Sequence, residues 1–277
     1  MEDTDVRRLL DRFGADLGAV LPPVALWAHG SLALGDFRPG RSDLDLIALV
    51  GTGLTGAQEE RLRAVHERLV AEMPLGSALH CTYLPLNEVT DTGRQHPTWA
   101  LGEWFARPVT PVTRRELALG ARVLSGPPPS GLLPGVSDTE LADFIRADLR
   151  GYWLPVTAKP ALWLQDVWVD AGMLTLARAS VTLRAGLLIT KREALDELRA
   201  QGAPAPVVDD IQRRRYGTGD YGTRDGDHGG GRGGRPAGGL AGDPAGGPVS
   251  EEWPARRAEL AREFVRQGIE RVLRQHP

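Results

Sequence analysis

Two aspartates in alternation, Asp43-Leu44-Asp45-Leu46, follow a Gly30-Ser31 pair after an eleven-residue interval. Side chains alternate faces along an extended strand, so Asp43 and Asp45 are expected on one face while Leu44 and Leu46 enter a core. Two carboxylates one pleat apart can clamp a hard divalent cation such as Mg2+, which prefers oxygen ligands and keeps room for phosphates. A Gly-Ser turn lets the backbone approach a phosphate closely and adds a hydroxyl donor. The bland alternative is a hairpin with two exposed aspartates. The glycine turn, the spacing, the carboxylate parity and the apolar flanks together favour a metal and phosphate site.

The pattern resembles the signature of the nucleotidyltransferase superfamily that includes DNA polymerase beta, with Gly-Ser or Gly-Gly ending one strand and Asp-x-Asp on the next. Residues 174–194, which include Arg178 and the run Thr190-Lys191-Arg192-Glu193, resemble the helical-domain segment of streptomycin/spectinomycin adenylyltransferases. The resemblance implies an α/β protein: a polymerase beta-like mixed-sheet domain followed by an α-helical bundle, with nucleotide and acceptor held between them. It implies ATP as substrate and Mg2+ as the metal, bound by Asp43 and Asp45. Gly30, Ser31, Arg178 and Lys191 then contact the triphosphate. AMP passes to a hydroxyl of a small polar acceptor, an aminoglycoside-type antibiotic being the leading class. Taken alone, Arg178 reads as a surface ion-pair residue. Lys191 alone reads as a solvated residue in a first helical turn, where the helix dipole slightly disfavours a cation.

Two departures from that family pattern stand out. The family's catalytic glutamate on the third strand is matched here by His80, in Ala78-Leu79-His80-Cys81-Thr82. An imidazole can serve as a base near neutral pH. The other readings are that His80 is a spectator, with Glu88 the nearest downstream carboxylate, or that catalysis is weakened. An aromatic acceptor platform of the family is matched by Arg122, which disfavours a cationic acceptor at that contact. Trp153, Trp163 and Trp168 with Asp166 and Asp170 could instead form an aromatic-acidic pocket, or serve as bundle core and solvated face.

These groups need elements to hold them. Apolar spacing predicts helices at residues 4–19, 57–73, 138–151, 160–185, 191–201 and 251–274, a short one at 32–36, and strands at 24–28, 43–50 and 77–84. Thr113–Glu116, Ser137–Glu140 and Thr190–Glu193 fit capping boxes, and Gly186 fits a helix stop. The Gly-Pro-Pro-Pro-Ser-Gly stretch at 126–131 suggests a boundary between a nucleotidyltransferase domain at 1–130 and a helical domain at 137–277. Residues 217–248 hold fourteen of the chain's 34 glycines, so that segment is expected to be a flexible linker.

Composition bounds the rest. The 277 residues carry a net charge of -3 and are 42% apolar. This provides ample core and advertises no basic face, so nucleic acid is an unexpected partner. Cys81 is the sole cysteine, which excludes an intrachain disulfide and a Cys/His zinc site. No P-loop, His-Glu-x-x-His or Gly-x-Ser-x-Gly motif occurs. With no apolar signal core and no run of about eighteen apolar residues, a cytoplasmic monomer without membrane contact is expected. Rival readings are a toxin-like transferase acting on RNA or protein, and a non-catalytic nucleotide-binding module.

Overall fold

The computed structural model describes residues 2–217 and 252–277. The chain divides into two compact units, Met1–Val136 and Ser137–Pro277. Most of the Gly-rich segment expected at 217–248 lies outside the described residues.

The first unit is a six-stranded mixed sheet. Its strands are β1 (Ala25–Ala28), β2 (Leu44–Val50), β3 (Leu79–Pro85), β4 (Gln95–Ala100), β5 (Glu103–Pro108) and β6 (Arg122–Ser125), in the spatial order β5-β4-β3-β2-β1-β6. β2 and β3 run parallel, with Leu44 opposite Leu79 and Asp45 opposite His80, while the other pairs are antiparallel. A parallel pair needs a crossover, and α3 (Gly56–Glu72) supplies it.

Alternation along the strands divides the core in two. Leu26, Ala28, Leu44, Leu46, Ala48, Val50, Leu79, Cys81 and Tyr83 face α1 (Glu2–Val20) and α3, meeting Leu9, Phe13, Leu17, Leu62 and Leu69. Burying each such large side chain stabilises by about 1.5–3 kcal/mol. The opposite face carries Ala25, Trp27, Ile47, Leu49 and Leu84, covered by Val109 and by Leu117 of α4 (Pro111–Gly120). Asp45 and His80 share the parity of this second face.

Several boundaries differ from the sequence expectation. The short helix α2 is Gly30–Ala33 rather than 32–36. The cap of α4 is Thr110, whose hydroxyl accepts from the Thr113 amide. Pro111, pre-set in φ for a first helical position, starts that helix three residues earlier than the Thr113–Glu116 reading, and frees Glu116 for another partner. The β4–β5 hairpin and β6 were not foreseen. Pro97 inside β4 and Pro108 ending β5 disguise that hairpin, because proline argues against a strand when read locally.

The second unit is helical. It comprises α5 (Asp138–Asp148), a π-helical turn Leu149–Trp153, α6 (Leu154–Thr157), α7 (Asp166–Ala185), α8 (Lys191–Ala200), α9 (Ala205–Tyr216) and α10 (Trp253–Gln275). The capping boxes at Ser137–Glu140 and Thr190–Glu193 form as read. Gly186 ends α7 in the left-handed conformation, with φ 70. Gly172 and Gly268 permit close approach: a Cβ there would lie 2.5 Å from the Trp163 ring and 2.3 Å from Leu176. Helix α9 escaped the periodicity reading because its prolines and its Arg213-Arg214-Arg215 run obscure the apolar stripe. No described helix is long and apolar enough to cross a membrane.

Candidate active site

The site in the first unit is built where β1, β2 and β3 end or begin. β1 runs into His29 and then Gly30, whose φ is +62, a conformation that glycine adopts at no steric cost. A Cβ on Gly30 would lie 3.2 Å from Asp45 Oδ2, so glycine also makes room for the carboxylate. The His29 amide donates to the Asp45 carbonyl at 2.9 Å, and the Asp36 amide to the Ser31 carbonyl at 3.0 Å. The first bond fixes the entry to Gly30 against the strand that carries Asp45, and the second closes the turn after Ser31.

Asp43 is buried just before β2, and Asp45 lies within it with its side chain 22% exposed. His80 sits between the two carboxylates. Its Nε2 is 3.7 Å from Asp43 Oδ1 and its Nδ1 is 3.5 Å from Asp45 Oδ1. Burial alone would raise the Asp45 pKa; the hydrogen-bonding contact with His80 and positive charge nearby, Arg107 included, outweigh it and hold Asp45 well below the usual carboxylate range. Asp45 is therefore an anion at neutral pH.

His80 is fully buried, and its Nε2 accepts the Leu101 amide proton at 3.2 Å. An accepting nitrogen carries no proton, which leaves the ring proton on Nδ1, on the side of Asp45. Leu101 is the one non-glycine residue at positive φ among those described, at 57, and with Gly102 at 75 it forms the two-residue β4–β5 turn. Such a turn usually takes Asn-Gly, so leucine there is strained. Beyond the ring, Arg107 of β5 donates to Thr82 Oγ1 at 3.0 Å.

Glu88 is elsewhere. β3 carries the chain from His80 to Pro85, roughly 16 Å at the usual rise per residue, and Glu88 follows at that far end. There it pairs with Arg94 at 2.8 Å and lies 3.4 Å from His96. Arg122 begins β6 opposite Ala28, exposed, one residue before His29 in strand register. Cys81 is buried on the other face, its thiol pushed up to about 12 by burial, and is no nucleophile at neutral pH.

In the second unit, Arg178 Nε donates to the Ile189 carbonyl at 3.0 Å, and Thr182 Oγ1 to the Leu187 carbonyl at 2.8 Å. These bonds tie the loop after Gly186 to α7 and bring Arg178 to within two residues of Lys191, the first residue of α8. The expected aromatic-acidic pocket takes another form. Trp163 is fully buried against Gly172, Trp153 is buried and Trp168 half-buried. Asp170 meets Arg214 at 2.5 Å and Asp166 meets Arg257 at 2.5 Å, and Asp210 pairs with both arginines. The acids are spent inside the bundle on arginines from α9 and α10, which lie far along the chain and gave no local signal.

Sequence reasoning passed over His29 and Glu116. His29 Nδ1 lies 3.1 Å from Glu116 Oε2 and both are nearly buried. The signal was present, in that His29 immediately precedes Gly30, but its partner is 87 residues away.

Asp43 and Asp45 suit a hard cation as an incomplete ligand set. Both are carboxylates, the glycine turn leaves space beside Asp45, and no cluster of three His, Cys, Asp or Glu side chains able to hold a metal occurs among the described residues. That donor set matches Mg2+, which fills its remaining positions with phosphate oxygens and water.

No protein-family model and no curated protein matches the chain. Among solved structures, it is similar to spectinomycin adenyltransferase AAD(9) from Enterococcus faecialis, crystallised with ATP and spectinomycin. The identity is 13%, the TM-score 0.62, and the match covers 97% of this chain and 98% of that one. At that identity the likeness establishes the fold, a mixed α/β sheet unit followed by a helical unit.

Proposed function

We propose that the protein is a Mg2+-dependent nucleotidyltransferase that moves AMP from ATP to a hydroxyl of a small polar acceptor, an aminoglycoside-type antibiotic being the leading class. The observation that carries this reading is the approach of Gly30, at the start of the Gly30-Ser31 turn, to Asp45 of β2, with His80 placed between Asp45 and Asp43, within a fold shared along nearly the whole chain with an adenyltransferase solved with ATP.

Asp43 and Asp45 would hold the cation. When bound, the cation would offset charge on the triphosphate and on the leaving pyrophosphate. Gly30 and Ser31 offer a close backbone approach and a hydroxyl to the phosphates, and Arg178 and Lys191 are the cationic phosphate contacts that the family resemblance implies. The acceptor oxygen forms its bond to the α-phosphorus as the bond to pyrophosphate breaks, and the hydroxyl proton passes to solvent water. Catalysis of this kind rests on alignment and on electrostatic compensation more than on covalent participation.

His80 enters this reading as a positioning residue. Its Nε2 lone pair is engaged by Leu101 and its ring is inside the protein, so it separates and orients the two carboxylates rather than taking the acceptor proton.

The test is a pyrophosphate-release screen with Mg-ATP across aminoglycosides and aminocyclitols, spectinomycin and streptomycin included. Turnover with at least one acceptor is expected. The Asp45→Asn variant should lose activity by orders of magnitude, as the loss of several kcal/mol of charge stabilisation requires. Wild-type turnover in that variant would remove the two-aspartate site.

A further inference from the structure

His29 holds an unexplained lone pair. Its side chain is 8% exposed, and Nδ1 is committed to the Glu116 carboxylate at 3.1 Å. A carboxylate accepts only, so in the neutral ring it fixes the proton on Nδ1 and leaves Nε2 as the acceptor. That Nε2 is buried and has no hydrogen-bond partner among the described residues. Leaving a buried polar atom unsatisfied costs about 1–3 kcal/mol, and such an atom in a folded protein calls for a partner.

Its location indicates where that partner comes from. His29 continues the parity of Ala25 and Trp27, which belong to the same face as Asp45 and His80. Its amide is bonded to the Asp45 carbonyl, and the next residue, Gly30, borders the Asp45 carboxylate. The contrast with His80 is direct: that imidazole has its acceptor nitrogen filled by a main-chain amide, while the imidazole of His29 is oriented by a carboxylate and left open.

Resting on the nucleotidyltransferase reading, we infer that His29 is a ligand-contacting residue of this site, whose Nε2 accepts a hydrogen bond from an O–H group brought by the metal-nucleotide. Two groups present that chemistry: a water on the divalent cation, since Mg2+ keeps several, and a hydroxyl of the nucleotide ribose. In either case Glu116 is a positioning residue, fixing the tautomer and the ring plane as outer-shell carboxylates do.

The experiment follows the imidazole resonances of the full-length wild-type protein, with His29 assigned by difference from His29→Gln. Mg2+ alone and then Mg-ATP are added in turn, and Mn-ATP affinity is measured in parallel by calorimetry. A Nε2 nitrogen shift that already appears with Mg2+ alone identifies the cation water. A Nε2 nitrogen shift that appears only with Mg-ATP identifies the nucleotide hydroxyl. Either result supports the inference. His29→Leu should weaken Mn-ATP binding about tenfold, and His29→Gln, which keeps an acceptor near the Nε2 position, should recover much of it.

An unshifted His29 Nε2 in a wild-type protein that binds Mg-ATP overturns the inference and leaves the functional reading standing. A wild-type protein that binds no metal-nucleotide overturns the reading, and the inference with it. The spectra of the wild type decide the matter even if His29→Leu does not fold.

Discussion

At Gly30 a backbone requirement and a spatial one coincide. Its φ of +62 is a conformation that costs an L-residue about 1 kcal/mol or more, and an added Cβ would press on Asp45 Oδ2 at 3.2 Å. Gly30→Ala should therefore lower the melting temperature by a few degrees and reduce turnover well beyond what the stability loss explains. Thermal unfolding read beside Mg-ATP affinity separates the two effects; unchanged affinity would show that Asp45 is not crowded. His80 makes a complementary case. If it only spaces the carboxylates, His80→Ala should weaken metal-nucleotide binding while leaving the shape of the pH–rate profile unchanged. Disappearance of a pH limb in that variant would return the base role to His80. Glu88 is not an alternative, because the length of β3 separates it from the aspartates.

Among the elements, β3 and α3 enclose another buried histidine with a different consequence. His66 of α3 bonds Tyr83 at 2.8 Å and stacks on Trp99 with centroids 5.1 Å apart. Burial pushes its pKa down to about 3 from an ordinary value near 6.5. The unfolded chain therefore binds this proton more readily than the native one between those two values. The stability contributed by neutral His66 is fully present above about pH 6.5 and is lost as the pH falls toward about 3, by a few kcal/mol. Denaturant titrations at pH 7 and pH 4.5 should show this loss, and His66→Phe should flatten it. An identical pH dependence in that variant would assign the loss to other groups. The hairpin that supplies Leu101 belongs to this scale too, since the strained turn exists only because β4 and β5 clamp it from both sides.

Over the whole molecule, each unit is stabilised by its own means. The first relies on two apolar layers around a sheet. The second adds a buried charge network, in which Arg214 serves Asp170 and Asp210 and Arg257 serves Asp166 and Asp210. Breaking such a network from one side leaves uncompensated buried charge, at a cost of about 3–5 kcal/mol. Arg214→Leu should accordingly unfold or severely destabilise the helical unit. A loss under 1 kcal/mol by denaturant titration would show that the two carboxylates find other partners.

The sequence by itself determined what depends on near neighbours along the chain. Asp43 and Asp45 fall on one side because strand parity has a period of two. Gly30 and Ser31 announce a turn because only glycine adopts that conformation freely. Two of the three capping boxes and the Gly186 stop form as read, since each is closed within three or four residues. Tertiary structure decided what depends on partners distant in sequence. It set the proton of His80 through Leu101, joined His29 to Glu116 across 87 residues, and turned Asp166 and Asp170 from a candidate pocket into counter-ions of Arg257 and Arg214. A carboxylate or an imidazole has the same intrinsic chemistry wherever it stands in the sequence. Its protonation, its orientation and its availability to a ligand are set by whatever the fold packs against it, and those neighbours are chosen by long-range burial rather than by spacing along the chain.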